Sequence, residues 1–162
     1  MRSLLRAADG LATLAGWVAG FLLLLTTGLI LFEIALRQFL GRSTFIAEEY
    51  SGYFMAGMVY LAAAYTLQKA EHIRVGLLRE RLGPKGRRLL DLIAGLLGLA
   101  FTSLLVAALG NQTLDALHYG TRSFLPSRTP LVYPYAVALV GAAVLWIGFV
   151  AFVLRRWINE EN

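Results

Sequence analysis

Four stretches of the chain run uncharged for long enough to cross a bilayer, and charges bracket each of them. A crossing helix needs about 20 consecutive apolar residues. Leu11–Phe32 supplies 22, Tyr50–Gln68 supplies 19, Leu92–Leu114 supplies 23 and Thr129–Leu154 supplies 26. Within the last, Pro130 and Pro134 place the helix start near Leu131, because a first turn tolerates proline's missing N–H. With their polar flanks, the four runs predict transmembrane helices over about residues 11–36, 48–68, 90–118 and 131–155. Arg2 and Arg6 precede the first run in the manner of a signal peptide. Its apolar length exceeds the 7–15 residues usual for one, so a retained span is the better reading.

Between the second and third runs the period changes. In "HIRVGLLRERLGPKGRR" apolar side chains recur at Ile73, Leu77, Leu78 and Leu82, which is helical spacing. Arginines fill the other face, and Gly83-Pro84 ends the pattern. A short amphipathic helix over about 71–82 is expected, lying on the anionic cytoplasmic leaflet. Arg74, Arg79, Arg81, Lys85, Arg87 and Arg88 would then meet lipid headgroups; a solvated basic loop is the alternative. The fold class expected is an all-α integral membrane protein, one domain over residues 1–162, with four transmembrane helices plus this interfacial helix.

Composition agrees with the pattern. Hydrophobic residues make up 58% of the chain and charged residues 15%, against about 25% charged in soluble domains. No cysteine is present, which excludes disulfides and thiolate metal sites. The net charge of +5 does not point to nucleic acid, because the basic residues flank the apolar runs. Eleven of the 15 lie at the two termini and the central connection; Arg37, Arg42, Arg122 and Arg128 lie on the other side. The positive-inside rule therefore places both termini in the cytoplasm.

Enzyme chemistry finds no foothold. The only two histidines, His72 and His118, fall at opposite membrane faces in this topology, and no HExxH, phosphate loop or GxSxG occurs. The polar residues near the spans gather instead at the outer side. Glu33 and Arg37 are four apart with glutamate leading, the order that suits an intrahelical ion pair. Glu48 and Glu49 open the second span inside "FIAEEYSGYF". Asn111, Asp115, His118 (or Tyr119) and Arg122 form a stripe at the end of the third. Glu33, Arg37, Glu48, Glu49, Asp115 and Arg122 are thus the candidate structural or partner-contact residues.

Two roles are open to the glutamate pair. Both carboxylates can complement the positive end of a helix dipole. Alternatively one pairs with Arg37 or Arg42 while the other, about 100° round the helix, faces a second protein. Small residues at Gly52, Ala56 and Ala63, with Gly57, Ala62 and Ala64, make the second span a packing surface. Ala94 with Gly98, and Ala138 with Ala142, do the same on the third and fourth. Such patterns let membrane helices approach closely, within a bundle or against another subunit. No span carries a charge at its middle or a Gly/Pro break there, so a complete carrier is not expected.

The segment "AEEYSGYFMAGMVYLAAAYTLQKAEHIRVGLL", residues 47–78, resembles the small membrane subunit (DctQ type) of tripartite ATP-independent periplasmic (TRAP) transporters. Arg37 closing the first span, Glu48 with Glu49 opening the second, and His72, Ile73, Val75 and Leu78 after it carry the resemblance, which extends over essentially the whole chain. Gly76 departs from it, where many relatives carry an acidic residue; Phe45 and Ile46 stand where tryptophan is usual. The resemblance implies uptake of an organic acid, such as a C4-dicarboxylate or sialic acid, driven by a sodium gradient. Its implied partners are a large membrane subunit holding substrate and sodium, a periplasmic binding protein and membrane lipids. This chain would be a static scaffold in the inner membrane, with no cofactor of its own. Its glutamates would fix the first hairpin to Arg37 and help present a surface to partners. The competing classes are a small self-associating channel or exporter, and a redox-complex membrane anchor, which would need facing histidines.

Overall fold

The computed structural model describes residues 2–69 and 83–158, and there the chain forms four helices. They are α1 (Arg2–Leu40), α2 (Ile46–Gln68), α3 (Pro84–Tyr119) and α4 (Val132–Ile158). Each exceeds the apolar run that seeds it, because helical hydrogen bonding continues into the flanking polar residues. Three of them, over Leu5–Leu40, Leu89–Tyr119 and Val132–Arg155, are long and apolar enough to cross a membrane. The 23 residues of α2 match a span in length, at about 1.5 Å of rise each. Its apolarity is diluted by Tyr50, Tyr53, Tyr60 and Tyr65 and by several small residues. The interfacial helix expected over 71–82, with Arg74, Arg79 and Arg81, lies outside the described residues, as does His72.

Local chemistry sets the ends. After Leu40 the chain reverses through Gly41 at φ 61°, a left-handed conformation that glycine adopts without strain, and through Phe45 at φ 59°, where a side chain makes the same conformation costly. Pro84 opens α3 in the first-turn position, which places Lys85, Arg87 and Arg88 on its first turns rather than in a loop. Gly120, at φ 60° and ψ 33°, closes α3 by donating its N–H to Ala116 O, the usual left-handed helix stop. Residues 120–131 fold back as a tight loop held by Ser123 N to Thr129 O at 2.9 Å and Leu131 N to Thr121 O at 3.0 Å. Pro134 then sits in the first turn of α4.

Among the described helices, α1, α2 and α4 pack on one another, whereas α3 contacts α4 alone. The joints are built from small residues. Ala15 and Ala19 of α1 meet Leu61 of α2, and Ala64 and Leu67 of α2 meet Leu145 of α4. A Cβ at Gly57 would lie 2.8 Å from Val137, one at Gly141 2.9 Å from Tyr60, and one at Gly98 would overlap the Phe149 ring. Lipid tails are as apolar as leucine, so these helices gain from close van der Waals contact rather than from leaving water. Large apolar side chains point outward instead, among them Trp17, Leu24 and Leu104. Ala94, Gly52 and Ala56 are exposed as well.

The end of the bundle away from the glutamates is tied as well. Asp9 of α1 forms an ion pair with Arg155 of α4. Gln68 of α2 donates its amide to Asp9 O at 3.0 Å, and Thr13 donates to the same carbonyl at 2.9 Å. One residue therefore links three helices.

Candidate functional site: the carboxylate rim

At the other end, the α1–α2 turn and the 120–131 loop bring three glutamates together in two adjoining knots. The first centres on Glu33, which is only 5% exposed. Its Oε1 accepts from Arg37 Nε at 3.1 Å, Ser43 Oγ at 2.7 Å and the Thr44 N–H at 3.0 Å; its Oε2 accepts from Thr44 Oγ1 at 2.5 Å. Arg37 reaches Glu33 because the two are one helical turn apart. Its other arm, Nη2, crosses to Glu48 Oε1 at 3.0 Å. Arg37 therefore bridges α1 to the first turn of α2. The Arg37–Glu48 contact is open to solvent on both sides, whereas Glu33 is shielded.

The second knot centres on Glu49, 4% exposed and pointing away from Glu48. Tyr53, one turn on, donates its hydroxyl to Glu49 Oε1 at 2.7 Å. Ser127, from the far loop, donates to Oε2. The chain of hydroxyls continues from Ser127 to Thr129 at 2.7 Å and from Thr129 to Tyr50 at 3.1 Å. A buried carboxylate needs hydrogen-bond donors in place of water, and Glu49 finds them in neutral hydroxyls beside the positive end of the α2 dipole. The knot fastens the α3–α4 loop onto α2.

The adjacent glutamates thus have different work: Glu48 closes an exposed ion pair and Glu49 anchors a loop internally. Asp115 and Arg122 belong to neither knot. Asp115 is exposed on α3. Arg122 is not part of the α3 stripe, because Gly120 ends the helix first; it lies in the loop, where its backbone bridges Pro130. Arg42 joins no ion pair among the described residues. Among the described residues no group of three His, Asp or Glu side chains converges to hold a metal ion. Chemically, the buried carboxylates of Glu33 and Glu49 are satisfied by donors from other segments of the chain, which is the arrangement of a clamp.

Ser43, Thr44, Tyr50, Tyr53, Ser127 and Thr129 were not singled out from sequence. Ser43 and Thr44 stand shortly before the start of α2, but Phe45 holds the cap position and no side chain caps the helix, so a capping pattern does not find them. Nothing in the sequence shows that Ser127 returns to Glu49, because that depends on which loops meet.

The family model described as "Tripartite ATP-independent periplasmic transporters, DctQ component" matches residues 26–159. No curated protein and no solved structure gives a match. The match takes in the last 15 residues of α1, both knots and α2 to α4, and the chain belongs to this family. It is a small component of a TRAP transporter, and the family is one of transporter components rather than enzymes. Its apolar helices accord with a multi-pass protein of the inner membrane.

Proposed function

We propose that this DctQ-family chain braces the large membrane subunit of a TRAP transporter during sodium-driven uptake of an organic acid. On this reading the large subunit holds substrate and sodium, a periplasmic binding protein delivers the substrate, and this chain stays fixed. All four helices cross the membrane, both termini and the basic 70–82 connection lie on the cytoplasmic side, and the glutamate rim faces the periplasm. Arg74, Arg79 and Arg81 of this connection, with Lys85, Arg87 and Arg88 on the first turns of α3, rest on anionic headgroups.

The observation that carries the bracing role is the tying of the bundle at both rims. At one end Arg37, Glu33 and Glu49 join α1, α2 and the 120–131 loop; at the other Asp9 joins α1, α2 and α4. A body held at both ends resists shear, which a scaffold beside a moving domain requires. Mild-detergent purification of the chain from its own host tests the proposal. A large, many-spanned membrane protein is expected to co-purify in fixed ratio. Recovery of this chain alone, or as a conducting homo-oligomer, would overturn the reading.

A further inference from the structure

α3 is packed on one side only. Its buried positions Asp91, Gly95, Thr102 and Ala116 follow the helical repeat and face α4. At about 100° per residue, Asn111 falls directly opposite Thr102, with Leu104, Asp115 and His118 within about 40° of it. All four are exposed. Asn111, Asp115 and His118 make no hydrogen bond or ion pair among the described residues; His118 only stacks edge-on against Tyr119.

The depth of Asn111 follows from its neighbours. Ser103 bonds Trp146 at 2.8 Å and Gly98 faces Phe149, fixing an antiparallel register between α3 and α4. Continued along α3, that register sets Asn111 level with Val137 or Ala138. Val137 packs on Gly57 of α2, which lies eight residues, or about 12 Å of helix, inside Glu49. Asn111 therefore lies inside the apolar stretch Leu89–Tyr119, exposed on the side away from its own bundle, and with that stretch crossing the membrane as proposed above it stands within the hydrocarbon layer. Lipid offers no partner to an amide, and leaving one unpaired there is costly. Intramembrane ionisable groups likewise turn to protein or water rather than to lipid. By contrast, the α1 stripe of Trp17, Leu24 and Leu31 is equally exposed and wholly apolar, as a lipid-facing surface should be.

We propose that the outward face of α3, from Leu104 to His118, is the docking surface for a transmembrane helix of the large membrane subunit, which presents a hydroxyl, amide or cationic donor to Asn111 and Asp115. The proposal rests on the transporter reading above for the partner's identity. Charge argues against a second copy of this chain. A two-fold dimer about an axis along the membrane normal would lay the two α3 helices side by side in parallel, bringing Asp115 close to its own copy, where the like charges repel. A donor-bearing helix satisfies both groups at once, and amide hydrogen bonds between helices are an established means of membrane association.

Photo-crosslinking in membranes of the native host, with the whole system expressed, tests this. A benzophenone side chain is placed at Leu97 or Leu104 on α3, and at Trp17 or Leu24 on α1. Adducts with the large membrane subunit are expected from the α3 positions and not from α1. Adducts from α1 alone would overturn the docking face and leave the transporter reading standing, as would adducts joining two copies through Leu104. Adducts with no other membrane protein from any position would overturn both. Asn111→Leu supplies the second readout. The isolated chain is expected to keep its helicity and melting temperature, while the complex dissociates about three- to tenfold faster; Asn111→Gln is expected to retain most of the lifetime. An unchanged lifetime in Asn111→Leu would overturn the polar anchor.

Discussion

Thr44 grips Glu33 twice, through its N–H at 3.0 Å and its hydroxyl at 2.5 Å, so the turn that follows α1 is built around a carboxylate in α1 itself. The hairpin is closed by chemistry that depends on one oxygen pair.

Replacing Glu33 by alanine leaves the Thr44 N–H and the hydroxyls of Ser43 and Thr44 without their shared acceptor, in a part-buried turn. Hydrogen bonds to a charged acceptor contribute more than neutral ones, and four are lost at once, counting that from Arg37. Thermal unfolding in detergent is expected to show a drop of at least about 5 °C for Glu33→Ala. Glu33→Gln should fall between it and the parent, because one carbonyl oxygen survives to accept. Equal melting temperatures for all three proteins would contradict the role given to Glu33.

The neighbouring glutamates should respond unequally. Glu48 pairs with Arg37 in the open, and exposed pairs contribute little; Glu48→Gln is expected to change the melting temperature by less than about 2 °C. Glu49→Gln puts an amide donor against the hydroxyls of Ser127 and Tyr53. It should loosen the loop over residues 120–131, visible as faster amide exchange there and no change in the core of α2. Reversed sensitivities would mean that the two side chains have been assigned the wrong work.

Close packing at glycine yields a third expectation. Gly98→Ala forces a methyl group into the Phe149 ring and should destabilise the bundle by about 1–3 kcal/mol. Gly20→Ala meets open space and should be neutral or slightly stabilising, since alanine is the better helix former. Denaturant titration of the purified variants in mixed micelles measures both. Equal effects would show that α3 and α4 are less closely seated than the structure has them.

The four helices, three of them long and apolar enough to cross a membrane, were legible because uncharged length is a property of the sequence alone, and Glu33 and Arg37 because their spacing is local to one helix. What escaped was anything decided by which segments meet. Ala12, Ala15 and Ala19 of α1 carry its inner face, yet they read as incidental among leucines; in hydrocarbon the buried face is the small one, so apolar periodicity gives no hint of it. Arg122 seemed to continue the Asn111–Asp115–His118 stripe, until the left-handed Gly120 took it off the helix. Ser127 and Glu49, 78 positions apart, could be joined only by the fold.

A fourth expectation concerns the opposite rim. The Asp9–Arg155 pair is partly open to water, so Asp9→Asn is expected to cost under about 1 kcal/mol and less at high salt. Gln68→Ala, which strips the Asp9 carbonyl of its link to α2, should cost a similar amount regardless of salt. Denaturant titration at low and high ionic strength separates the two, and a salt-independent Asp9→Asn would contradict the exposed-pair assignment.

The bracing role itself is tested most directly by uptake into proteoliposomes under an imposed sodium gradient, using the loaded binding protein and the large membrane subunit with and without this chain. Transport is expected only when this chain is present, with no flux through this chain alone. Full sodium-driven uptake in its absence would contradict the account.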